Sequence, residues 1–228
     1  MRNALDISAY LVLGPENTVG RPVEAIVKDA LDAGFTCFQI RSKEASAKEL
    51  ISCCQRCAEV IKKAGKQNSV ALLVDDRLDV VLAAREQGIK VDGIHLGQSD
   101  IPVEVCRKYL GEDSVVGLSA PAAEMFEYIK TKDTTNLDYF GVGPLHPTET
   151  KKDCGLAPDG NLIVKTLDEI ADLERVSPVP IVVGGGVKAA DLPALKKTGV
   201  AGFFVVSAVC GADDPYQAAK ELVDLWTE

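Results

Sequence analysis

Residues 139–153 read Tyr-Phe-Gly-Val-Gly-Pro-Leu-His-Pro-Thr-Glu-Thr-Lys-Lys-Asp, and they contain the pattern from which the whole chain is built. The apolar first part, up to Val142, favours a buried strand. Gly143 and Pro144 stop that strand, and Pro147 stiffens the loop that follows. The loop presents hydroxyl and ammonium groups, which suit a phosphate or diphosphate at the carboxyl end of a strand. A solvated polar loop without a ligand would have the same composition.

The same alternation of an apolar strand, a loop and a helix extends over the chain. We predict strands at 10–13, 35–40, 70–74, 91–96, 114–118, 137–142, 181–183 and 203–206. We predict helices at 22–33, 48–64, 77–87, 103–110, 122–130, 162–174, 190–197 and 215–226. The strands are continuous apolar runs, as expected when both faces of a sheet are buried. About eight strand–helix pairs predict an α/β fold, a single (β/α)8 TIM barrel over 1–228 with 1–9 as an amino-terminal extension. An open doubly wound sheet is the alternative.

Composition and charge exclude several classes of protein. The 228 residues are 46% hydrophobic and 26% charged, which is ordinary for a globular protein with a large core. No apolar run approaches the ~18 residues of a membrane span, and the amino terminus lacks the apolar segment of a secretory signal. The net charge of -9 argues against a nucleic-acid surface but allows a locally basic pocket for a small anion. Oligomeric state stays open, and a homo-oligomer is compatible with the sequence.

Three of the seven cysteines, Cys53, Cys54 and Cys57, crowd one predicted helix. A metal site would need thiolates and usually a fourth ligand, and the neighbouring sequence offers no further Cys or His. We therefore expect these side chains to be small buried hydrophobes. Unpaired thiols predict a reducing compartment, and hence a cytoplasmic location.

Polar residues at the end of the second predicted strand indicate an anion-binding site. Gln39, Arg41 and Lys43 alternate along the chain, so all three side chains should face the barrel mouth. Two inward cations and an amide are costly to bury unless an anion binds there. A charged strand end that is exposed to solvent is the other interpretation.

Carboxylates follow the third and fourth predicted strands. The third runs into Asp75 and Asp76, and the fourth runs through His95 to Asp100. Carboxylates on neighbouring strand ends can share a Mg²⁺, which prefers oxygen ligands and keeps several waters. Capping of the following helices is the competing interpretation, and both roles could coexist. For His95 the favoured interpretation is a satisfied core histidine rather than a catalyst.

The remaining strand ends offer small residues. Ser119, after the fifth strand, could cap a helix or donate to a diphosphate. The seventh strand ends in three glycines, 184–186, and the eighth in Val206 and Ser207. Glycine-bearing turns at these two positions commonly hold a phosphate in this fold. The role of His146 stays open, and no Ser-His-Asp order or zinc-ligand spacing stands out.

From about Tyr10 to the carboxyl terminus, the chain resembles the thiamine phosphate synthase family. The resemblance is carried by a set of motifs, at 39–43 (QIRSK), 75–77 (DDR), 93–100 (GIHLGQSD), 117–119 (GLS), 143–144 with 147–151 (GP, PTETK), 185–186 and 206–207. It implies a TIM barrel that joins 4-amino-5-hydroxymethyl-2-methylpyrimidine diphosphate to a thiazole phosphate. The products would be thiamine phosphate and diphosphate.

The resemblance also implies a set of site residues. The pyrimidine diphosphate would be bound by Gln39, Arg41, Lys43, Asp75, Ser119 and Lys151, of which Arg41, Lys43, Ser119 and Lys151 would act in catalysis. The thiazole phosphate would be bound by Thr148, Thr150, Gly186, Val206 and Ser207, and the cofactor Mg²⁺ by Asp76 and Asp100. In this family diphosphate is thought to leave first, through a pyrimidinylmethyl cation, so cations aimed at the departing charge would stabilise the step.

The chain departs from the family pattern at two places. Asp75 stands where the family usually has Asn, and an added carboxylate repels a diphosphate unless it is protonated or engages the metal. Extra length at 85–91 should lie on the face opposite the site and affect stability. Three alternatives stay open: a thiazole tautomerase-like isomerase, a non-catalytic binder of thiazole or thiamine phosphate, and another sugar-phosphate barrel enzyme.

Overall fold

The computed structural model describes residues 2–119, 122–147 and 164–228. Its strands are all parallel and close into one barrel in chain order, which confirms the (β/α)8 prediction. They are β1 Ala9–Leu13, β2 Cys37–Ile40, β3 Ala71–Asp75, β4 Gly93–Leu96, β5 Val115–Ser119, β6 Tyr139–Val142, β7 Ile181–Val183 and β8 Gly202–Val205. The helices are α1 Val23–Ala33, α2 Ala47–Lys63, α3 Leu78–Glu86, α4 Val103–Leu110, α5 Ala122–Thr131, α6 Leu167–Val176, α7 Leu192–Lys196, α8 Ser207–Cys210 and α9 Pro215–Thr227.

The continuous apolar strands separate two layers of core. Side chains that point outward from the strands pack beneath the helices in the larger cluster, as Leu11 and Phe140 do. Inward side chains, among them Tyr10, Leu73 and Tyr139, fill the barrel itself. Because residues alternate along a strand, each strand supplies both layers, and a polar residue at an inward position has to find its partners inside the barrel.

The three neighbouring cysteines of α2 lie in the layer between helices and sheet. Cys53, Cys54 and Cys57 are buried and reduced, as expected for small hydrophobes. Burial raises the pKa of the Cys54 thiol to about 12, so it stays protonated and unreactive at neutral pH. The described part of the chain has no helix that is long and apolar enough to cross a membrane.

Two helices differ from the prediction. The helix predicted at 162–174 begins only at Leu167, because Thr166 accepts from the backbone N–H of Glu169 and Glu169 accepts from the backbone N–H of Thr166. This capping box fixes the start of α6, and residues 164–166 are not helical. The sequence analysis also missed α8, whose 4 residues directly after β8 are too few for a periodic pattern.

Candidate active site

A pocket of about 390 Å³ opens at the carboxyl ends of the strands. It brings together most of the residues that the sequence analysis selected, namely Gln39, Arg41, Lys43, Asp75, Asp76, Asp100, Ser119, Gly186, Val206 and Ser207. Thr148, Thr150 and Lys151, selected as well, lie outside the described residues. All of the selected residues that the structure describes therefore face one cavity.

The cations of the pocket are matched by carboxylates. Arg41 Nε lies 3.1 Å from Asp75 Oδ2, and the Lys43 ammonium lies 3.8 Å from the same oxygen. Lys43 also forms an ion pair with Asp76, and the Gln39 amide donates to Asp75 Oδ1. The Gln39 side chain is buried and all three side chains line the pocket, so the alternating residues at the end of β2 and after it do point into the barrel mouth. Asp75 thus serves as a counter-ion to both cations.

Asp76 and Asp100 form a carboxylate pair. Burial opposes ionisation of Asp76, yet hydrogen bonds from Asp100 and Lys43 lower its pKa. Burial, followed by the bond with Asp76, raises the pKa of Asp100, because a second negative charge beside Asp76 is unfavourable. The backbone at Asp76 is left-handed, with φ of 59°, a strained conformation typical of functional positions.

The carboxylate pair fits a hard divalent cation. Two neighbouring carboxylates offer the oxygen donors that Mg²⁺ prefers, and Mg²⁺ usually takes its other ligands from water and substrate phosphates. Among the described residues, no group of three or more His, Cys, Asp and Glu could hold a metal by itself. A metal at this pair would therefore take its further ligands from water or from the substrate.

The aspartates of the pocket do not cap the helices that follow them, so the interpretation of these residues as helix caps is wrong. The cap position of α3 is Arg77 and that of α4 is Pro102, and neither helix has a side-chain cap. Asp100 instead accepts from the backbone N–H of Gly97 at 2.6 Å. That bond orders the loop after β4 and aims the carboxylate at Asp76.

A buried polar chain that the sequence analysis missed ends at Ser119. His95 Nε2 lies 2.7 Å from Ser119 Oγ, and His95 Nδ1 lies 2.7 Å from the Tyr139 hydroxyl. Tyr139 contacts Tyr10, which donates to Gln39 Oε1 at 2.7 Å. The signal in the sequence was a tyrosine at an inward position of each of two apolar strands, Tyr10 and Tyr139, since a buried phenol needs a hydrogen-bond partner. His95 is thus a satisfied histidine that also borders the pocket.

On the opposite side of the pocket mouth, turns rich in glycine bring backbone groups close to the cavity. Gly185 and Gly186 both have positive φ, of 78° and 74°, in the turn after β7. A Cβ on Gly186 would lie 2.9 Å from His146 Cβ, so only glycine allows this turn to pack against the loop after β6. Ser207 opens α8, and the first N–H groups of a helix have no partner within it. These groups suit a phosphate more than a reacting centre.

Comparisons with known proteins agree with this geometry. A family model described as "Thiamine monophosphate synthase" matches residues 9–209. The chain is 35% identical to the thiamine-phosphate synthase of Corynebacterium efficiens over 98% of this chain and 96% of that protein. It is 33% identical to the one of Clostridium tetani, covering 98% of each.

Solved structures are similar as well. Thiamine phosphate pyrophosphorylase from Pyrococcus furiosus superposes with a TM-score of 0.77 at 28% identity, over 99% of this chain and 97% of that one. A 3-hexulose-6-phosphate synthase gives a TM-score of 0.62 at 16% identity, over 96% of this chain and 99% of that one, which is a likeness of fold alone.

Proposed function

The chain belongs to the thiamine monophosphate synthase family, its function is thiamine phosphate synthesis, and we propose how its pocket performs that reaction. The proposed reaction joins 4-amino-5-hydroxymethyl-2-methylpyrimidine diphosphate to a thiazole phosphate and releases diphosphate. One observation carries the proposal: a single pocket has cations and a carboxylate pair on one side and glycine-bearing turns on the other. Such a pocket suits two phosphorylated substrates that meet between its sides.

The diphosphate of the first substrate would bind on the side of β2 and β3. Arg41 and Lys43 supply positive charge there, and a guanidinium can donate two parallel hydrogen bonds to phosphate oxygens. Gln39, Asp75, Ser119 and Lys151 complete the set proposed to surround this substrate, and not all of them contact its diphosphate. As the bond between the pyrimidine methylene and the diphosphate breaks, negative charge grows on the departing oxygen. Fixed cations that already face that position stabilise the growing charge without reorganising.

Asp76 and Asp100 would hold the cofactor Mg²⁺. Both carboxylates would have to be ionised to hold the ion, so the raised pKa of Asp100 predicts that Mg²⁺ binding weakens as the pH falls. A bound Mg²⁺ would neutralise part of the negative charge on the diphosphate. In its absence the Lys43 ammonium is held by Asp76, which keeps the cation at the mouth of the pocket.

The thiazole phosphate would bind on the side of β7 and β8. Backbone N–H groups of Gly186, Val206 and Ser207 are proposed as its donors, and the hydroxyls of Thr148 and Thr150 would add to them. The thiazole nitrogen would then attack the pyrimidinylmethyl cation from across the pocket. No side chain has to act as a nucleophile in this scheme, and the positive charge on the thiazolium ring of the product balances the one negative charge that the diphosphate gains when the C–O bond breaks.

The compartment and partners follow from composition. We propose a cytoplasmic enzyme, because all six described cysteines are unpaired, as is usual where glutathione and thioredoxin keep thiols reduced. The net charge of -9 favours small phosphorylated substrates over nucleic acid as partners.

An assay with both phosphorylated substrates tests the proposal. Thiamine phosphate and free diphosphate should appear together in equal amounts with Mg²⁺, and neither should appear after treatment with EDTA. Restoring excess Mg²⁺ should restore both. Tight binding of thiazole phosphate without turnover would contradict the proposal in favour of a binding protein, and isomerisation of the thiazole alone would point to a tautomerase.

A further inference from the structure

Five hydrogen bonds link Asp75 to Ser119 through the inside of the barrel. They run from Asp75 to Gln39, Tyr10, Tyr139, His95 and Ser119 in turn. We call this chain of six side chains the relay. The distance between the two tyrosine hydroxyls is 2.9 Å, and the exposed fractions of Tyr10 and Tyr139 are 1% and 0%. The relay therefore crosses the barrel from β1 to β6 with almost no contact with water.

Two glycines make room for the relay. A Cβ on Gly117 would lie 2.2 Å from Tyr139 Cζ, an impossible approach. A Cβ on Gly141 would lie 2.9 Å from Ser119 Oγ and 3.1 Å from His95 Cε1. Packing this tight fixes the side chains in one arrangement, so the relay is a defined part of the barrel core rather than a chance contact.

The relay has a direction. A carboxylate only accepts, so Gln39 gives its N–H to Asp75 and turns its carbonyl oxygen toward Tyr10. Tyr10 donates its single hydroxyl proton to that oxygen, so it can only accept from Tyr139. Tyr139 therefore donates its own hydroxyl proton to Tyr10. The consequence is that Tyr139 accepts from His95.

The same reasoning fixes the far end of the relay. Because Tyr139 accepts, His95 carries its proton on Nδ1, and in the neutral imidazole Nε2 is an acceptor. The hydroxyl proton of Ser119 therefore points to His95 Nε2. The Ser119 oxygen can therefore still accept a hydrogen bond from a group in the pocket.

We propose that the relay makes Ser119 a hydrogen-bond acceptor for the amino group of the pyrimidine substrate, with His95, Tyr139 and Tyr10 as positioning residues. This inference rests on the proposed function and deepens it. As diphosphate leaves, positive charge spreads over the aminopyrimidine and makes its N–H groups stronger donors. An oxygen whose own proton is engaged by an imidazole is a better acceptor, since linked hydrogen bonds strengthen one another. Ser119 would stabilise the cation, and it has no second proton to give to a phosphate.

The tautomer of His95 is the direct test. The chain has two histidines, so ¹⁵N-histidine NMR of the ligand-free protein gives two sets of ring signals, and His146→Gln assigns them. His95 should show the Nδ1–H pattern. Tyr139→Phe removes the acceptor of that proton and should convert His95 to the Nε2–H form. Tyr128→Phe is the matched control, because Tyr128 packs on Phe140 of the same strand but outside the barrel, and it should change nothing. An Nε2–H pattern in the unaltered protein overturns the proposal.

Inorganic diphosphate separates the two roles of Ser119. If Ser119 is an acceptor for the amine, saturating diphosphate with Mg²⁺ leaves His95 in the Nδ1–H form. If Ser119 donates to diphosphate, its proton leaves Nε2 and the Nε2–H pattern appears, which overturns the proposal. Saturation is checked by calorimetry, and a failure of diphosphate to bind contradicts the proposed function instead.

Kinetics measure what the relay contributes. Tyr139→Phe should lower kcat about tenfold, the effect of one hydrogen bond to a charged group, and leave the KM for the pyrimidine diphosphate within about twofold. His95→Gln keeps an acceptor near the Nε2 position and should retain about tenfold more activity than His95→Asn, whose shorter amide reaches only the Nδ1 position. Equal activity of the two His95 variants, both folded by circular dichroism, overturns the positioning role.

Discussion

Two arginine–aspartate pairs, at opposite ends of the barrel, show how one interaction can serve structure or ligand binding. At the amino-terminal end, Arg107 is 3% exposed and lies 2.7 Å from Asp138. Its other nitrogens donate to backbone carbonyls, including that of Ser114 at 2.6 Å. At the carboxyl end, Arg41 meets Asp75 through Nε, and its side chain is 17% exposed at the edge of a cavity.

The two pairs differ at the arginine: all three side-chain nitrogens of Arg107 have partners, whereas among the described residues Arg41 is paired through Nε. Asp138 accepts from the backbone of Val116 at 2.7 Å and pairs with Arg2 at 2.5 Å, so the network at the amino end needs nothing further. Asp75 shares its oxygens among Gln39, Arg41 and Lys43, beside a space large enough for a substrate. A buried pair without full support is costly. The pair at the carboxyl end is therefore expected to exchange partners with a ligand, and the other is not.

Arg41→Ala should have the largest effect. Removing a donor that faces the departing diphosphate should lower kcat/KM about 10³-fold, roughly 4 kcal/mol of transition-state stabilisation, with little change in the free energy of unfolding. Steady-state kinetics and urea unfolding measure the two quantities. Arg56→Ala is the control, because Arg56 pairs with Glu24 on the outer helices. A loss of stability that matches the loss of activity would show that Arg41 is structural after all.

Arg107→Ala should have the opposite effect, lowering stability and leaving activity unchanged. It leaves Asp138 with one fewer partner and several buried carbonyls unsatisfied, so the free energy of unfolding should fall by about 3 kcal/mol, while kcat/KM per folded molecule stays the same. Urea unfolding with an activity assay on the folded fraction checks both. Arg175→Ala removes an exposed pair with Asp172 and should cost less than about 0.5 kcal/mol. Equal losses for the two variants would contradict the assignment of the amino-terminal pair to stability.

Lys151→Ala should lower kcat about 10²-fold if its ammonium steadies the departing diphosphate. Lys151 lies outside the described residues, so this prediction rests on the family resemblance and on the polar sequence that follows β6. Lys152→Ala is the neighbouring control and should retain most activity. A Lys151 variant whose activity loss is explained entirely by unfolding would remove that residue from the catalytic set.

The barrel and one side of its mouth could be predicted because their signals are local. Strands that are buried on both faces appear as unbroken apolar runs, and the alternation of Gln39, Arg41 and Lys43 places their side chains on one side of β2. Each inference needs only neighbouring residues and the geometry of a strand. The segment at 85–91 runs from the end of α3 toward β4 at the amino-terminal end, on the face where it was predicted to lie, and there Arg85 donates to the backbone carbonyl of Val91.

The relay could not be predicted because its contacts are not local. The bond between the two tyrosine hydroxyls joins residues that are 129 positions apart, and nothing in either strand marks the other as its partner. The left-handed backbone at Asp76 is equally hidden, since its aspartate fits a helix cap by sequence alone. What decides these features is the closure of the barrel, which brings inward side chains from non-adjacent strands into contact.

Asp75→Asn should have the smallest effect and the opposite sign. The Asp75 carboxylate sits among the very cations that would bind diphosphate, so its charge competes with the ligand. Asn keeps an oxygen that can accept from Gln39 but removes that charge. The Kd for inorganic diphosphate with Mg²⁺ should therefore fall about fivefold, roughly 1 kcal/mol, and the gain should shrink as salt is added.

Asp79→Asn is the matched control for that variant. It makes the same change of net charge at an exposed pair with Arg77, outside the pocket lining, and should alter the Kd less than about twofold. Calorimetric titration of the two variants at low and high salt separates a local counter-ion from a general charge effect. If Asp75→Asn leaves the affinities for Mg²⁺ and for diphosphate unchanged, the Asp75 carboxylate does not compete with diphosphate for Arg41. The contrast between the two ends of the barrel would then rest on exposure alone, because both aspartates would be fixed partners of their arginines.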